Sequence, residues 1–329
     1  MRTNRVIDAI KSADLIVRKL LAIKPGEEIV LVGDPETDME MLHALAGVIQ
    51  SVGAEYTIAI MPTRPPEQSL EMTKFINKGL EAADVIIGMT AASGAACYSS
   101  VIGKLRKKTG LRQYSMVLRN LDIWTKGGAT ADYEDLLKVG ERLREVWARG
   151  KVIYLSSPKG TDLKAKLGQA PPFIEAGWAT GPGDESAFSD GEVSLGPNEG
   201  TAEGVVVIDG PIAHIGQPAT PLRLEFKKGK LVNISGDEMA ARQLREIVAR
   251  VKDADNFAEV GIGINPNCLQ KGEFEEEKKR LGNVHIAIGR NTGGYGGTVA
   301  AQIHMDMVFR DGTVKTDKDT LLKDGNLAI

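Results

Sequence analysis

Residues 258–309 carry four short phrases that decide how this chain reads: AEVGIGIN at 258–265, NVHIAIG at 283–289, NTGGYGG at 291–297 and QIHMDMVF at 302–309. The first, second and fourth are apolar runs of strand length, and the glycines of the third mark a loop. Side chains two apart on a strand share a face, so His304 and Asp306 point the same way. An imidazole beside a carboxylate on a rigid element suits a divalent cation, which accepts mixed nitrogen and oxygen ligands. Of the four histidines in 329 residues, His285 and His304 both fall in this stretch.

Outward from there, residues 151 to 235 read as short strands joined by turns: KVIYLSS, TDLKAKL, GEVSLGP, GVVVIDG, LRLEFKKG and KLVNISG, with Gly229 in a hairpin turn. A helix follows over about Asp237 to Asp253. The segment 151–329 is therefore expected to be an α+β metal-binding domain with mostly antiparallel strands. The segment 1–150 has a different rhythm. Strands at Ile29–Val32, Tyr56–Met61, Val85–Met89 and Tyr114–Leu118 alternate with helices at Thr37–Val52, around Pro66–Ala83, near Ser99–Lys108 and at Tyr133–Arg149. Continuous apolar strands alternating with amphipathic helices predict an α/β domain with a mostly parallel sheet covered on both faces. The phrase after the first strand is VGDPETD, not GxGxxG, so no dinucleotide fingerprint is present.

A net charge of −3 offers no electrostatic case for binding nucleic acid or an anionic membrane. No apolar run reaches spanning length, and the amphipathic start lacks the continuous apolar centre of a signal peptide. Cys97 and Cys268 lie far apart without metal-ligand spacing, which fits reduced thiols in a cytoplasmic protein.

Six phrases of the second half together resemble the aminopeptidase T and PepS-type metallopeptidases: GTDL at 160–163, DGEV at 190–193, EGVVVIDG at 203–210, AEVGIGINP at 258–266, HIAIG at 285–289 and HMD at 304–306. That family uses two divalent metals, and the resemblance carries its ligands onto Glu192, Glu259, His285, His304 and Asp306. The runs GTDLKAKLGQAP, PNEGTAEGVVVID and NTGGYGGT also resemble 2,5-dihydroxypyridine 5,6-dioxygenase, a mononuclear iron(II) ring-cleaving enzyme of the same fold. Its triad is two histidines and an aspartate. The first histidine aligns with Glu259 here, apolar residues align with Glu192 and His285, and a histidine thought to act in catalysis falls at Lys164. A tyrosine of the peptidase pattern falls at Thr292, with Tyr295 three residues on.

Converging carboxylates and imidazoles would repel or stay protonated without a cation. Two metals about 3.5–4 Å apart would share a bridging carboxylate, here Glu259, and activate a water. Zinc, manganese or cobalt suits such a set, and iron(II) suits the dioxygenase alternative. Taken alone, His285 in VHIAI reads equally well as a buried, hydrogen-bonded histidine. Lys164 is a candidate acid or base with Asp162 on the same strand face, and Tyr295 a candidate catalytic group. The loop 291–297 is a candidate for placing backbone N–H groups near a ligand. His43 reads as surface or core, His214 as undecided, and Trp124 and Trp178 as packing.

The ligand set favours a metal-dependent hydrolase acting on an amino-terminal peptide bond or a small amino or amide compound. The dioxygenase and a non-enzymatic small-ligand binder are the alternatives. A small-molecule or short-peptide substrate is expected, and by resemblance a homo-oligomer.

Overall fold

The computed structural model describes residues 5–65, 68, 70, 72–91, 95–116, 121–270 and 273–329. The chain forms two compact units, Met1–Thr130 with Glu175–Asp190, and Ala131–Ile174 with Gly191–Ile329.

The first unit is built on a parallel sheet of β1 (Glu28–Gly33), β2 (Glu55–Ile60), β3 (Val85–Gly88), β4 (Arg112–Met116) and β8 (Glu185–Phe188), in the order β2-β1-β3-β4-β8. Four of these strands and their parallel pairing follow the sequence expectation. The fifth does not: ESAF at 185–188 has no periodicity that marks a strand, and it joins the sheet only because the chain returns to β4. The helix Met39–Ser51 is capped by the Asp38 carboxylate, which accepts from Glu40 N–H. The helix expected around Pro66–Ala83 is shorter, Lys74–Gly79 with a tight turn at Leu80–Ala82, and Thr73 caps it by accepting from Ile76 N–H. Pro66, Glu67, Ser69 and Glu71 of that expectation lie outside the described residues, as do Val117 and Leu118 of the fourth strand.

The second unit holds two mostly antiparallel sheets. One has eight strands: β5 (Val152–Ser156), β6 (Asp162–Lys166), β10 (Glu203–Ile208), β11 (Leu222–Lys227), β12 (Lys230–Ser235), β16 (Thr313–Thr316), β17 (Thr320–Lys323) and β18 (Asn326–Leu327), ordered β12-β11-β10-β6-β5-β16-β17-β18. The other has five: β7 (Phe173–Glu175), β9 (Glu192–Leu195), β13 (Phe257–Gly263), β14 (Val284–Gly289) and β15 (His304–Phe309), ordered β15-β14-β13-β9-β7. Every residue of β9, β13 and β14 is buried, so both faces of this sheet are covered and the strands read as continuous apolar runs.

The two faces of the five-stranded sheet differ in kind. Register places Val193 beside Ile262, Ile262 beside Val284, and Val260 beside Ile286, which faces Met307. This apolar face meets the helix Tyr133–Trp147, which approaches closely at Gly140; a Cβ there would lie 2.8 Å from Ile174 and 3.7 Å from Val193. The opposite face carries Glu192, Glu259, His285, His304 and Asp306. Among the described residues no helix is long and apolar enough to cross a membrane. Because Ile286 is fully buried on β14, an inner strand of the apolar face, Ile286→Ala is expected to cost about 2–5 kcal/mol, read as a lower urea midpoint of the folded chain.

Candidate metal centre

Residues paired directly across antiparallel strands put their side chains on the same face. Glu259 pairs with Ala287, and Ala287 with Asp306; Gly261 pairs with His285; Gly263 pairs with Glu192; Gly289 pairs with His304. Period-two alternation then sets all five charged or imidazole side chains on one face. Their neighbours on that face include Gly261, Gly263, Ala287 and Gly289, small residues that leave room above the sheet, beside Ser194 and Val308. Gly261 is the tightest case: a Cβ there would lie 2.1 Å from Cε1 and Nε2 of His285, so the imidazole occupies the space a side chain would take.

The donor atoms sit within coordination reach of one another. His304 Nε2 is 2.7 Å from Glu259 Oε2 and 3.2 Å from Asp306 Oδ1. His285 Nε2 is 3.3 Å from Glu259 Oε1 and 3.4 Å from Glu192 Oε2. Two sets, Glu259–His304–Asp306 and Glu192–Glu259–His285, each bring three ligand atoms within 4.8 Å, and Glu259 belongs to both. Metal–ligand bonds of about 2.0–2.2 Å fit edges of this length. The donor set is therefore of the right type and spacing for a divalent cation. His304 donates its Nδ1–H to the Arg290 carbonyl at 2.7 Å, which holds the ring and turns Nε2 toward the carboxylates.

Two cations that sequence reasoning missed complete the face. The helix Phe274–Lys279 ends against β13, with Asn265 N–H donating to the Lys279 carbonyl and Leu281 N–H to the Asn265 carbonyl. Gly263 permits this approach, since a Cβ there would lie 2.2 Å from the Arg280 carbonyl oxygen. Lys278 Nζ reaches Asp306 Oδ2 at 2.9 Å and Glu192 Oε1 at 3.4 Å, while Lys279 Nζ reaches Glu192 Oε1 at 3.1 Å. In sequence, FEEEKK looks like a solvated charged helix, and no periodicity marks its lysines as buried. Gly261 was more accessible to sequence reasoning, because a glycine inside a buried strand signals close approach of another group.

Of the other candidates, Tyr295 joins the site: its ring stacks on His304 with centroids 5.2 Å apart and planes 10° apart. The loop that carries it is clasped by Glu199, whose carboxylate accepts from Thr298 N–H at 2.6 Å, from the Thr298 hydroxyl and from Asn291 Nδ2. The N–H groups of Gly296, Gly297, Thr298 and Val299 all donate within this clasp, so the loop holds itself rather than presenting them to a ligand. Lys164 is placed elsewhere, exposed on β6 of the eight-stranded sheet between Tyr154 and Glu203, with Asp162 also exposed. His43 is exposed on its helix, and His214 is exposed in a turn with positive φ. Trp124 packs edge-on to Phe188, and Lys19 lies over Trp178, both within the first unit.

Burial disfavours charge on Glu259, Lys278, His304 and Asp306, and their mutual contacts override it. For Glu259, hydrogen bonds from both imidazoles and the field of Lys278 hold the carboxyl well below the usual range despite burial. For His304, burial is outweighed by the charge of Asp306 and the bond to Glu259, which raise the imidazole from 6.5 to about 10. A raised folded-state value adds stability that is complete below the unfolded value of 6.5 and is lost as pH rises toward 10. Metal-free protein is thus expected to lose stability between pH 6.5 and 10, seen as a falling urea midpoint that His304→Gln flattens. Gly261→Ala is expected to push the His285 ring off the sheet and cost about 1–3 kcal/mol, with the displaced ring visible in the histidine NMR resonances.

Comparison with known proteins places this geometry. The family model described as 2,5-dihydroxypyridine 5,6-dioxygenase (NicX) matches residues 15–329. A 2,5-dihydroxypyridine 5,6-dioxygenase of Pseudomonas putida KT2440 is 22% identical over 343 residues, covering 94% of this chain and 93% of its own. The solved structure of 2,5-dihydroxypyridine dioxygenase from Pseudomonas putida KT2440 matches with a TM-score of 0.84 at 19% identity, covering 100% of this chain and 98% of that one. Wild-type AmpT from Thermus thermophilus matches with a TM-score of 0.65 at 15% identity, covering 98% of this chain and 99% of that one. At such identities the structural likenesses show the fold. The resemblance to a family spanning both groups is borne out, but the preference for a hydrolase of the aminopeptidase kind is overturned, because the family model and the full-length relative are both dioxygenases. The ligand types misled that preference, since mixed carboxylate and imidazole ligation serves zinc hydrolysis and iron chemistry alike. The chain belongs to the 2,5-dihydroxypyridine 5,6-dioxygenase (NicX) family.

Proposed function

We propose that this chain is a metal-dependent dioxygenase that opens a dihydroxylated nitrogen heterocycle, with Glu259, His304 and Asp306 holding the metal. The observation that carries the reading is which donors solvent can reach. Side chains of His304 and Asp306 are 17% and 10% exposed, whereas Glu192, Glu259 and His285 are fully buried. A substrate entering from solvent therefore meets the Glu259–His304–Asp306 set. When bound there, an iron(II)-class ion with open positions would supply the site at which dioxygen and a ring hydroxylate come together.

The chain's own residues prepare that meeting. Arg290 C=O fixes the His304 ring, and Lys278 holds Asp306 through Oδ2, leaving Oδ1 turned toward His304. Glu259 reaches both imidazoles and so fixes the third corner of the set. Tyr295, half-buried and stacked on His304, supplies a flat apolar wall beside the opening, and the Glu199 clasp keeps that wall in place. Glu259 stands where the dioxygenase pattern has a histidine, which makes this a set of two carboxylates and one imidazole. An extra carboxylate leaves the bound ion less positive and suits a harder, oxygen-preferring cation.

Protein loaded with iron(II) under nitrogen and then supplied with air and 2,5-dihydroxypyridine, or a panel of related dihydroxypyridines, is expected to consume one dioxygen per substrate at an oxygen electrode. His304→Ala and Glu259→Gln are expected to reduce the rate to background. Turnover of the same compounds that proceeds equally well without oxygen would sink the reading.

A further inference from the structure

His304 and Asp306 sit on β15, which has one strand neighbour, β14, in its sheet. An edge strand leaves a row of backbone groups open, and side chains that hold a metal need a supporting shell. Residues 209–213 run along this free edge. Gly210 N–H donates to the Val308 carbonyl at 2.9 Å, Val308 N–H to the Pro211 carbonyl at 3.1 Å, and Ala213 N–H to the Asp306 carbonyl at 2.9 Å. Ile212 bridges to Met307, and the chain then turns back tightly, with Gly216 N–H donating to the Ile212 carbonyl. The Asp306 carboxylate is gripped from another element, by Lys278 at Oδ2. Asp306 is thus held at its backbone by a strap and at its side chain by the helix Phe274–Lys279.

Both holders end at one side chain. Arg310, the residue after β15, divides its guanidinium between them. Nε and Nη2 donate to Glu277 Oε2 at 2.8 and 2.6 Å, and Glu277 is fully buried, immediately before Lys278 in the helix. Nη1 donates to the Asp209 carbonyl and Nη2 also to Gln217 Oε1 at 3.0 Å, so the fork reaches both ends of the strap. The Arg310 backbone N–H donates to Asp209 Oδ1 at 2.9 Å, and Lys159 pairs with the other oxygen of that carboxylate. A rigid planar fork with five donors can serve several segments at once, where a lysine ammonium on a flexible stem acts as a point charge. We propose that Arg310 is a positioning residue for the metal centre: it locks the 209–217 strap and the helix Phe274–Lys279 together against β15, and so fixes Asp306. The proposal rests on the reading of Glu259, His304 and Asp306 as the metal-holding set. The Arg310 side chain bonds to none of those three and acts through Lys278 and Ala213.

The test is the affinity of the full chain for manganese(II), used alone as the probe. Chelator-stripped protein is titrated with manganese(II), free ion is read from its six-line electron paramagnetic resonance signal, and the folded fraction comes from a urea curve of the same preparation. Losing an outer partner of a metal ligand costs about 10- to 100-fold in affinity, and Arg310→Met, which releases both holders, is expected to weaken binding per folded chain by about that factor. Arg310→Lys keeps a cation opposite Glu277 and loses the strap contacts, so it is expected to fold and to bind with an affinity between wild type and Arg310→Met. Lys278→Met is expected to weaken binding less in the Arg310→Met chain than in wild type, because the two side chains act along one line of contacts. A purely structural role would lower the urea midpoint and leave the affinity of folded chains unchanged. Wild-type affinity in either Arg310 variant, where folded, would overturn the proposal while leaving the metal centre standing, as would full additivity with Lys278→Met. No manganese binding by wild type would overturn the metal-centre reading itself, and the proposal with it.

Discussion

Three carboxylates and two imidazoles lie on one buried face of an antiparallel sheet, and the surrounding structure is arranged to make that tolerable. An ionised carboxylate in a water-poor interior is costly unless it is paired and hydrogen-bonded. Each of the three is answered: Glu259 by both imidazoles, Asp306 by Lys278 and His304, and Glu192 by the two lysines and His285. Removing one partner from such a set leaves a buried charge without its counter-charge, so the cluster behaves as a unit.

Backbone shape is the second half of that constraint. The charged side chains share a face with Gly261, Gly263, Ala287 and Gly289, and the space left by absent side chains is what they occupy. Gly261 yields room for the His285 ring, and Gly263 yields room for the helix end that delivers Lys278 and Lys279. The same sheet is apolar on its other face, where Val193, Ile262, Ile286 and Met307 anchor it in the unit's core. One sheet thus separates packing from chemistry by nothing more than side-chain alternation.

The comparison with hydrolases shows how little a ligand inventory says about a reaction. Carboxylates and imidazoles bind zinc, manganese and iron, and the AmpT likeness shows that the scaffold is shared well beyond the dioxygenases. Charge and access around the donors shape what a bound ion can do. In this chain those are set by two lysines from a short helix and by an aromatic ring on a clasped loop.

Much of the fold was legible, because its signals are local. Four parallel strands of the first unit, the antiparallel run of the second and the shared face of His304 and Asp306 follow from apolar periodicity and from the two-residue repeat of a strand. The gathering of Glu192, Glu259 and His285 with that pair was legible only through resemblance, since their separation in sequence carries no geometric information. Three features were not legible. ESAF at 185–188 becomes a parallel strand only because β4 offers an edge for it, and FEEEKK buries its lysines only because carboxylates from β9 and β15 wait there. The third is the placement of Lys164, the position where a histidine of the dioxygenase pattern falls: it lies exposed on the other sheet of its unit. By itself the sequence determined most of the strands and the shared face of His304 and Asp306. Tertiary structure alone decided which charges meet, because counter-charges for a buried carboxylate come from segments whose own local pattern does not mention it.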